Sequence, residues 1–183
     1  LLNIKVLVTG ATGFVGSNLV KKLVKEGCHV HCVVREQSNL DQLQEVIDKV
    51  TLHFYDGTLN SINIFFEKSR PDLVFHLASF FISDHSSRDL SNLMKSNLLF
   101  GLQLLETMDT HNVNKMVNTG TSWQHYNHNT KNYNPVNLYA ATKESFEKLI
   151  EYFVYAKNFQ VITLKLFDTY GLNDPRKKLI NLL

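Results

Sequence analysis

Tyr139 and Lys143 stand at i and i+4 in Leu138-Tyr139-Ala140-Ala141-Thr142-Lys143-Glu144, a stretch rich in helix formers, so both side chains leave one helical face. A free phenol titrates near ~10 and is a poor acid or base at neutral pH. An ammonium one turn away favours the phenolate, which suits the pair to moving a proton on and off a hydroxyl.

A second piece of chemistry lies far upstream. Gly10, Gly13 and Gly16 recur every third residue in Val8-Thr9-Gly10-Ala11-Thr12-Gly13-Phe14-Val15-Gly16, where an apolar run gives way to a helical pattern. Such a turn suits a dinucleotide diphosphate. Its first glycine permits a tight turn, its second lets phosphate approach the backbone, and its third lets helix pack on strand. The helix N-terminus behind it offers unpaired N–H groups and positive partial charge.

These groups need a scaffold, and the patterning supplies one. Short apolar runs at Ile4–Thr9, Val30–Val34, Thr51–Tyr55, Leu73–Leu77, Lys115–Thr119 and Gln160–Leu166 alternate with helical patterns. The helical patterns cover Val15–Glu26, Leu40–Asp48, Leu59–Ser69, Arg88–Thr110 and Asn137–Lys157. That alternation predicts an α/β fold, a Rossmann-type doubly wound parallel sheet covered on both faces. The stretch from Gly120 to Val136, polar and aromatic around Trp123, Tyr126 and His128, is expected to be a long functional loop beyond a strand end.

Length and composition narrow the field. With 183 residues the chain is one domain, and a net charge of +2 without a Lys/Arg-dense face excludes a nucleic-acid binder. No apolar run is long enough for a membrane span, and no metal-ligand spacing is present. Cys28 and Cys32 are too far apart along a strand to bond each other, which fits buried thiols in a reducing cytoplasm. The missing initiator Met and the apolar, incompletely patterned Lys178–Leu183 stretch lead us to expect a piece of a longer protein.

Taken together, Thr9-Gly10-Ala11-Thr12-Gly13-Phe14-Val15-Gly16, His76-Leu77-Ala78, Asn97, Tyr139-x-x-x-Lys143 and Leu166-Phe167-Asp168-Thr169-Tyr170-Gly171 resemble the extended short-chain dehydrogenase/reductase superfamily. More narrowly, they resemble its nucleotide-sugar epimerase, dehydratase and reductase branch. The resemblance implies that residues 1–183 form an NAD(P)-binding Rossmann domain, with a further C-terminal substrate-binding portion. It implies that Gly10, Gly13, Phe14 and Val15 line the pyrophosphate, that Asp56 contacts the adenine amino group, and that Leu77, Ala78 and Ser79 run along the cofactor's middle. Asn97 would support the site from the long helix. Tyr139 would be the acid/base, with Lys143 its pKa partner and ribose ligand.

The family's third catalytic group is a Ser or Thr just past the fifth strand. Counting from the expected strand end gives Thr119; Thr121 is the alternative if Gly120 turns the chain and presents the next hydroxyl. Asp168 departs from the Asn of many relatives. Gly120 and Thr121 stand where a dehydratase would carry an Asp-Glu pair.

An acid at the tip of the second strand favours NAD. Here that tip is Arg35, whose guanidinium suits a 2′-phosphate with Ser38 beside it, so NADP is expected; Glu36 would serve NAD if the strand ended one residue later. The reading is a nucleotide-sugar 4-keto reductase. An NAD-recycling 4-epimerase, a non-catalytic NADP-binding sensor or scaffold, and an inactive fragment are the alternatives. A homodimer would use Leu98, Leu99, Leu102, Leu105, Phe146, Leu149, Ile150 and Phe153, unless these pack on the chain's own sheet.

Overall fold

The computed structural model describes residues 3–125, 132–172, 174 and 176. Six strands form one parallel sheet in the order β3-β2-β1-β4-β5-β6. They are β1 (Lys5–Thr9), β2 (His29–Val34), β3 (Val50–Phe54), β4 (Leu73–His76), β5 (Lys115–Thr121) and β6 (Gln160–Leu166). The order reverses between β1 and β4, so their carboxyl ends diverge and open a crevice.

Strand alternation builds both layers of the core. Leu7 and Val33 point to the side covered by α2 (Leu59–Ser69), α4 (Phe100–Thr110) and α5 (Leu138–Lys157). Val6, Val8, Cys32 and Val34 point to the other side, covered by α1 (Phe14–Lys25) and the 3-10 segment Asp41–Lys49. Burying both faces explains the continuous apolar runs in the central strands. At the sheet edge Ile162 and Leu164 of β6 remain exposed. Cys28 and Cys32 are buried and unbonded.

Three elements differ from the sequence expectation. The Leu40–Asp48 helix is a 3-10 segment, because its buried anchors Leu43 and Val46 recur every three residues and eclipse on one side. The long helix is composite. A capping box of Ser86 and Asp89 starts it, α3 (Leu90–Met94) runs into a π-helical turn at Lys95–Leu99, and α4 completes it. β5 runs two residues past the expected end, pairing with β6 as far as Thr121↔Leu166.

The expected loop therefore starts after Thr121 as a 3-10 turn, Ser122–Gln124, and His125 pairs with Asn134. Tyr126 and His128, like the Lys178–Leu183 stretch, lie outside the described residues. Of the apolar residues proposed for a dimer face, Leu105, Phe146, Ile150 and Phe153 belong to the chain's own core; Leu99 and Leu102 are exposed. Among the described residues no helix is long and apolar enough to cross a membrane, and no cluster suits a metal ion.

Candidate active site

The three glycines of the β1–α1 turn have separate physical reasons. Gly10 has φ +70, and a Cβ there would sit 2.6 Å from the Ala78 nitrogen and 2.6 Å from the Leu77 carbonyl carbon. Gly16 lies against the Gly10 carbonyl, which a Cβ would overlap. Gly13 is different: its backbone is extended (φ −76, ψ 166), and the nearest atom to a Cβ is the Gly10 oxygen at 3.4 Å. The protein itself leaves room at Gly13. It is the N-cap of α1, with no side-chain cap and no acidic residue in the first turn, so the helix N–H groups there face a space suited to an anion.

That space belongs to a cavity of about 430 Å³ at the carboxyl ends of β1, β2 and β4. Gly10 and Gly13 form one wall, and Leu77, Ala78 and Ser79 another. Arg35 and Ser38 close the β2 end, joined by the Arg35 N–H donating to Ser38 Oγ at 2.9 Å. β2 ends at Val34, so Arg35 is the tip residue, and it lines the cavity where Glu36 does not. The π-helical turn adds Lys95, Ser96 and Leu99, a wall that sequence reading missed. A π turn shifts side-chain direction within a continuous helix, and no local composition signals it.

Asp56 lies next to this wall rather than in it. Its Oδ1 accepts from the Thr58 N–H at 2.9 Å and hydroxyl at 2.6 Å, bonds that hold its carboxyl below the usual range and set up Thr58 as the N-cap of α2. Phe14 and Val15 open α1 but do not line the cavity; the Phe14 ring packs against Gly171, with the Arg176 guanidinium 4.7 Å above its centre.

The Tyr139–Lys143 helix starts where Asn137 Oδ1 accepts from the Ala140 N–H at 2.9 Å. Tyr139 then falls in the first turn, beside the Ser79 hydroxyl of the cavity wall. Its ring meets Phe81 edge-on at 5.1 Å, and Phe81 in turn contacts Trp123 at 5.6 Å. Burial pushes the phenol above its ordinary pKa, with the Ser79 hydroxyl pulling the other way. Lys143, one helical turn on, is itself buried, only 4% exposed. Burial lowers that ammonium to about 8, opposed by the charge of Glu147. Beside it His76, buried and bonded to Thr9 Oγ1 at 2.8 Å, is held neutral by burial and by the Lys143 charge, down to about 3.

Asn97 occupies the π turn and is 2% exposed. Its amide donates to the Phe80 carbonyl at 3.1 Å and Thr142 Oγ1 at 2.9 Å, and its oxygen accepts from the Phe80 N–H at 2.7 Å and Ser79 Oγ at 3.3 Å. All four of its bonding positions are filled by the protein. It ties the end of β4 to α5 and leaves no group to bind a cofactor directly. The two threonines differ likewise. Thr119 donates its hydroxyl to the His76 carbonyl at 3.1 Å, whereas Thr121 Oγ1 accepts from the Trp123 N–H at 3.3 Å and keeps its own proton to donate.

The sequence matches the NAD dependent epimerase/dehydratase family over residues 6–183. The chain belongs to that family. It is 28% identical to a CDP-abequose synthase of Yersinia pseudotuberculosis, over 97% of this chain and 60% of that protein. It is 28% identical to a dTDP-D-glucose 4,6-dehydratase of Dictyostelium discoideum, over 98% of this chain and 48% of that one. Among solved structures, the UDP-glucose 4-epimerase of Thermotoga maritima with UDP-glucose superposes with a TM-score of 0.81 at 27% identity, covering 91% of this chain and 56% of the epimerase. The chain spans about half the length of the relatives it matches.

For an epimerase/dehydratase family member the cavity is the place of an NAD(P) cofactor, and the residues present fit one. The bare backbone at Gly13 leaves room for a diphosphate, and the volume lies in the range of small-molecule sites. Arg35 and Ser38 would hold the adenosine ribose end, and Ser79 lies at the end near Tyr139.

Proposed function

We propose that this chain is the cofactor-binding part of an NADP(H)-dependent nucleotide-sugar 4-ketoreductase. The observation that carries this reading is the juxtaposition of Tyr139 with Ser79 at the cavity wall, one helical turn from a buried Lys143. The bound cofactor supplies the hydride equivalent delivered to a carbonyl carbon. Tyr139 gives the matching proton to the carbonyl oxygen, and Lys143 supports the phenolate left behind. Thr121 holds that oxygen with its hydroxyl; it ends β5 on the same face as Thr119, whose hydroxyl is already taken by His76.

NADP is favoured because Arg35, with Ser38, lines the cavity and Glu36 does not. A dehydratase is disfavoured because Gly120 and Thr121 carry no acid/base group in place of an Asp-Glu pair. Nucleotide-sugar as substrate and the cytoplasm as location are supported by the relatives' names and by the two unbonded thiols. The second reading, a 4-epimerase that recycles NAD, draws on the likeness to the UDP-glucose 4-epimerase.

Incubation of the protein with NADPH and a panel of 4-keto nucleotide-sugars tests the reading. A reductase consumes reduced cofactor in proportion to sugar. An epimerase interconverts 4-hydroxy sugars with no net consumption, and that result would overturn the proposal. Tyr139→Phe should abolish turnover and keep cofactor affinity; a sensor's output would hardly change.

A further inference from the structure

Gln124 is completely buried, although a glutamine in a loop after a strand is ordinarily exposed. Its Oε1 accepts from the Thr121 N–H at 2.8 Å. Its Nε2 donates to Glu144 Oε2 at 2.6 Å and to Glu147 Oε1 at 2.7 Å. Both carboxylates belong to α5, the first next to Lys143 and the second one turn beyond it. Lys165 of β6 pairs with both, with its Nζ 3.6 Å from Glu144 and 3.5 Å from Glu147, and it also bonds His125 Nε2 at 2.9 Å. Gly120 is part of the same arrangement. A Cβ there would lie 2.6 Å from Gln124 Oε1 and 2.8 Å from Glu147 Oε1, so the glycine makes room for the amide instead of turning the chain.

The amide thus joins two elements by hydrogen bonds: the end of β5, which presents Thr121, and the helix that carries Tyr139 and Lys143. We propose that Gln124 is a positioning residue, whose buried amide fixes the Thr121 hydroxyl relative to Tyr139 and Lys143. This rests on the reductase reading for its catalytic consequence, but its geometric content stands alone. Glu147 connects the cluster to Lys143 electrically as well, since its charge helps keep that buried ammonium protonated.

Two substitutions test it in the protein, with NADPH as the bound probe. Gln124→Met keeps length and removes the amide. Turnover should fall by roughly 10- to 100-fold, the scale of an ångström-level misplacement, while NADPH affinity stays within about twofold because Gln124 is not a cavity wall. Gln124→Glu places a third carboxyl against Glu144 and Glu147, a cluster faced by the Lys165, Lys143 and Lys148 ammoniums, by the Tyr133 phenol and, through Lys165, by His125. Protonated, that carboxyl has the shape of the amide and one of its two donors. Its turnover relative to wild type should therefore recover in part as the pH falls and decline as it rises.

Trp123, the chain's single tryptophan, adjoins Gln124 and reports the turn without any substrate. Its emission in Gln124→Glu should depart from wild type at high pH and return in acid. Wild-type turnover by Gln124→Met, or a Gln124→Glu defect independent of pH, overturns the proposal. If Trp123 emission follows pH while turnover ignores it, the proposal also fails. If the wild-type protein reduces no 4-keto sugar, the reductase reading fails, and the positioning claim is decided on the Trp123 emission alone.

Discussion

Gly13→Ala is the sharpest perturbation of the cofactor site, because the three glycines of one turn should respond differently to the same methyl. At Gly13 the backbone is in a region open to any residue, and the new Cβ meets nothing closer than 3.4 Å. Restricting the unfolded chain favours alanine by about 0.4–1 kcal/mol, and the N-cap position disfavours it by a similar amount. Stability should therefore hardly move. At Gly16 the Cβ overlaps a backbone carbonyl, and overpacking of that kind costs about 1–3 kcal/mol or more. At Gly10 a positive φ adds roughly 1–2 kcal/mol to a contact at 2.6 Å with backbone atoms.

In a chain of this size 1 kcal/mol corresponds to about 2–4 °C in Tm. Gly16→Ala should thus melt on the order of 2–12 °C early and Gly10→Ala on the order of 4–20 °C early, with Gly13→Ala within about 2 °C of wild type. NADPH binding should show the reverse. The Gly13 methyl occupies the approach of the diphosphate, and titration should find its affinity reduced at least about tenfold, or ~1.4 kcal/mol. A Gly13→Ala protein that melts and binds NADPH like wild type would refute the placement of the diphosphate. A Gly16→Ala protein of unchanged Tm would refute the packing argument.

Arg35→Ala should weaken NADPH by roughly 10- to 100-fold and leave NADH within about twofold, as loss of a charge-assisted hydrogen bond worth about 1.5–3 kcal/mol requires; paired titrations decide it. Thr121→Val should lower turnover by about 10²-fold while Thr119→Val keeps most of it, the opposite order restoring Thr119 as the catalytic hydroxyl. Stability should fall in acid. His76 and His53 are pushed down to about 3 and about 4 by burial, so between their ordinary pKa of 6.5 and those values the unfolded chain binds more protons than the folded one. Full stability is present above about pH 6.5, and each imidazole removes about 1.4 kcal/mol per pH unit below it. Urea unfolding at two pH values should show a shallower acid loss in His76→Gln; an equal loss would assign the acid limb elsewhere.

The doubly wound parallel sheet was legible because buried parallel strands write themselves as apolar runs, and Ile4–Thr9 and Gln160–Leu166 match the observed strands within a residue. The glycine turn was legible because two of its constraints are local, the positive φ of Gly10 and the contact of Gly16 with the Gly10 carbonyl. What escaped depends on neighbours distant along the chain. The end of β5 is set by pairing with β6, some 45 residues on, and reading it two residues short made Thr119 look like the terminal hydroxyl. Lys95 lines the cavity from a π turn, which no local composition signals. Asn97 spends every bonding position it has on protein groups, a network that its place in the sequence does not show. The phenol's upward shift, too, follows from its own burial, which spacing along one helix does not reveal.

The partnership of Thr9 with His76 has a bearing on time. The two residues are 67 apart, and the wall against which Gly10 turns, Leu77–Ala78, comes just after. A ribosome adding about 5–20 residues per second needs several seconds to cover that gap. Throughout it β1 has an open flank and the glycine turn has half its mould. The nascent chain must therefore wait, with an apolar ribbon uncovered, before a nucleotide can help it fold, and loop-closing delays of this kind make long-range parallel pairing slow.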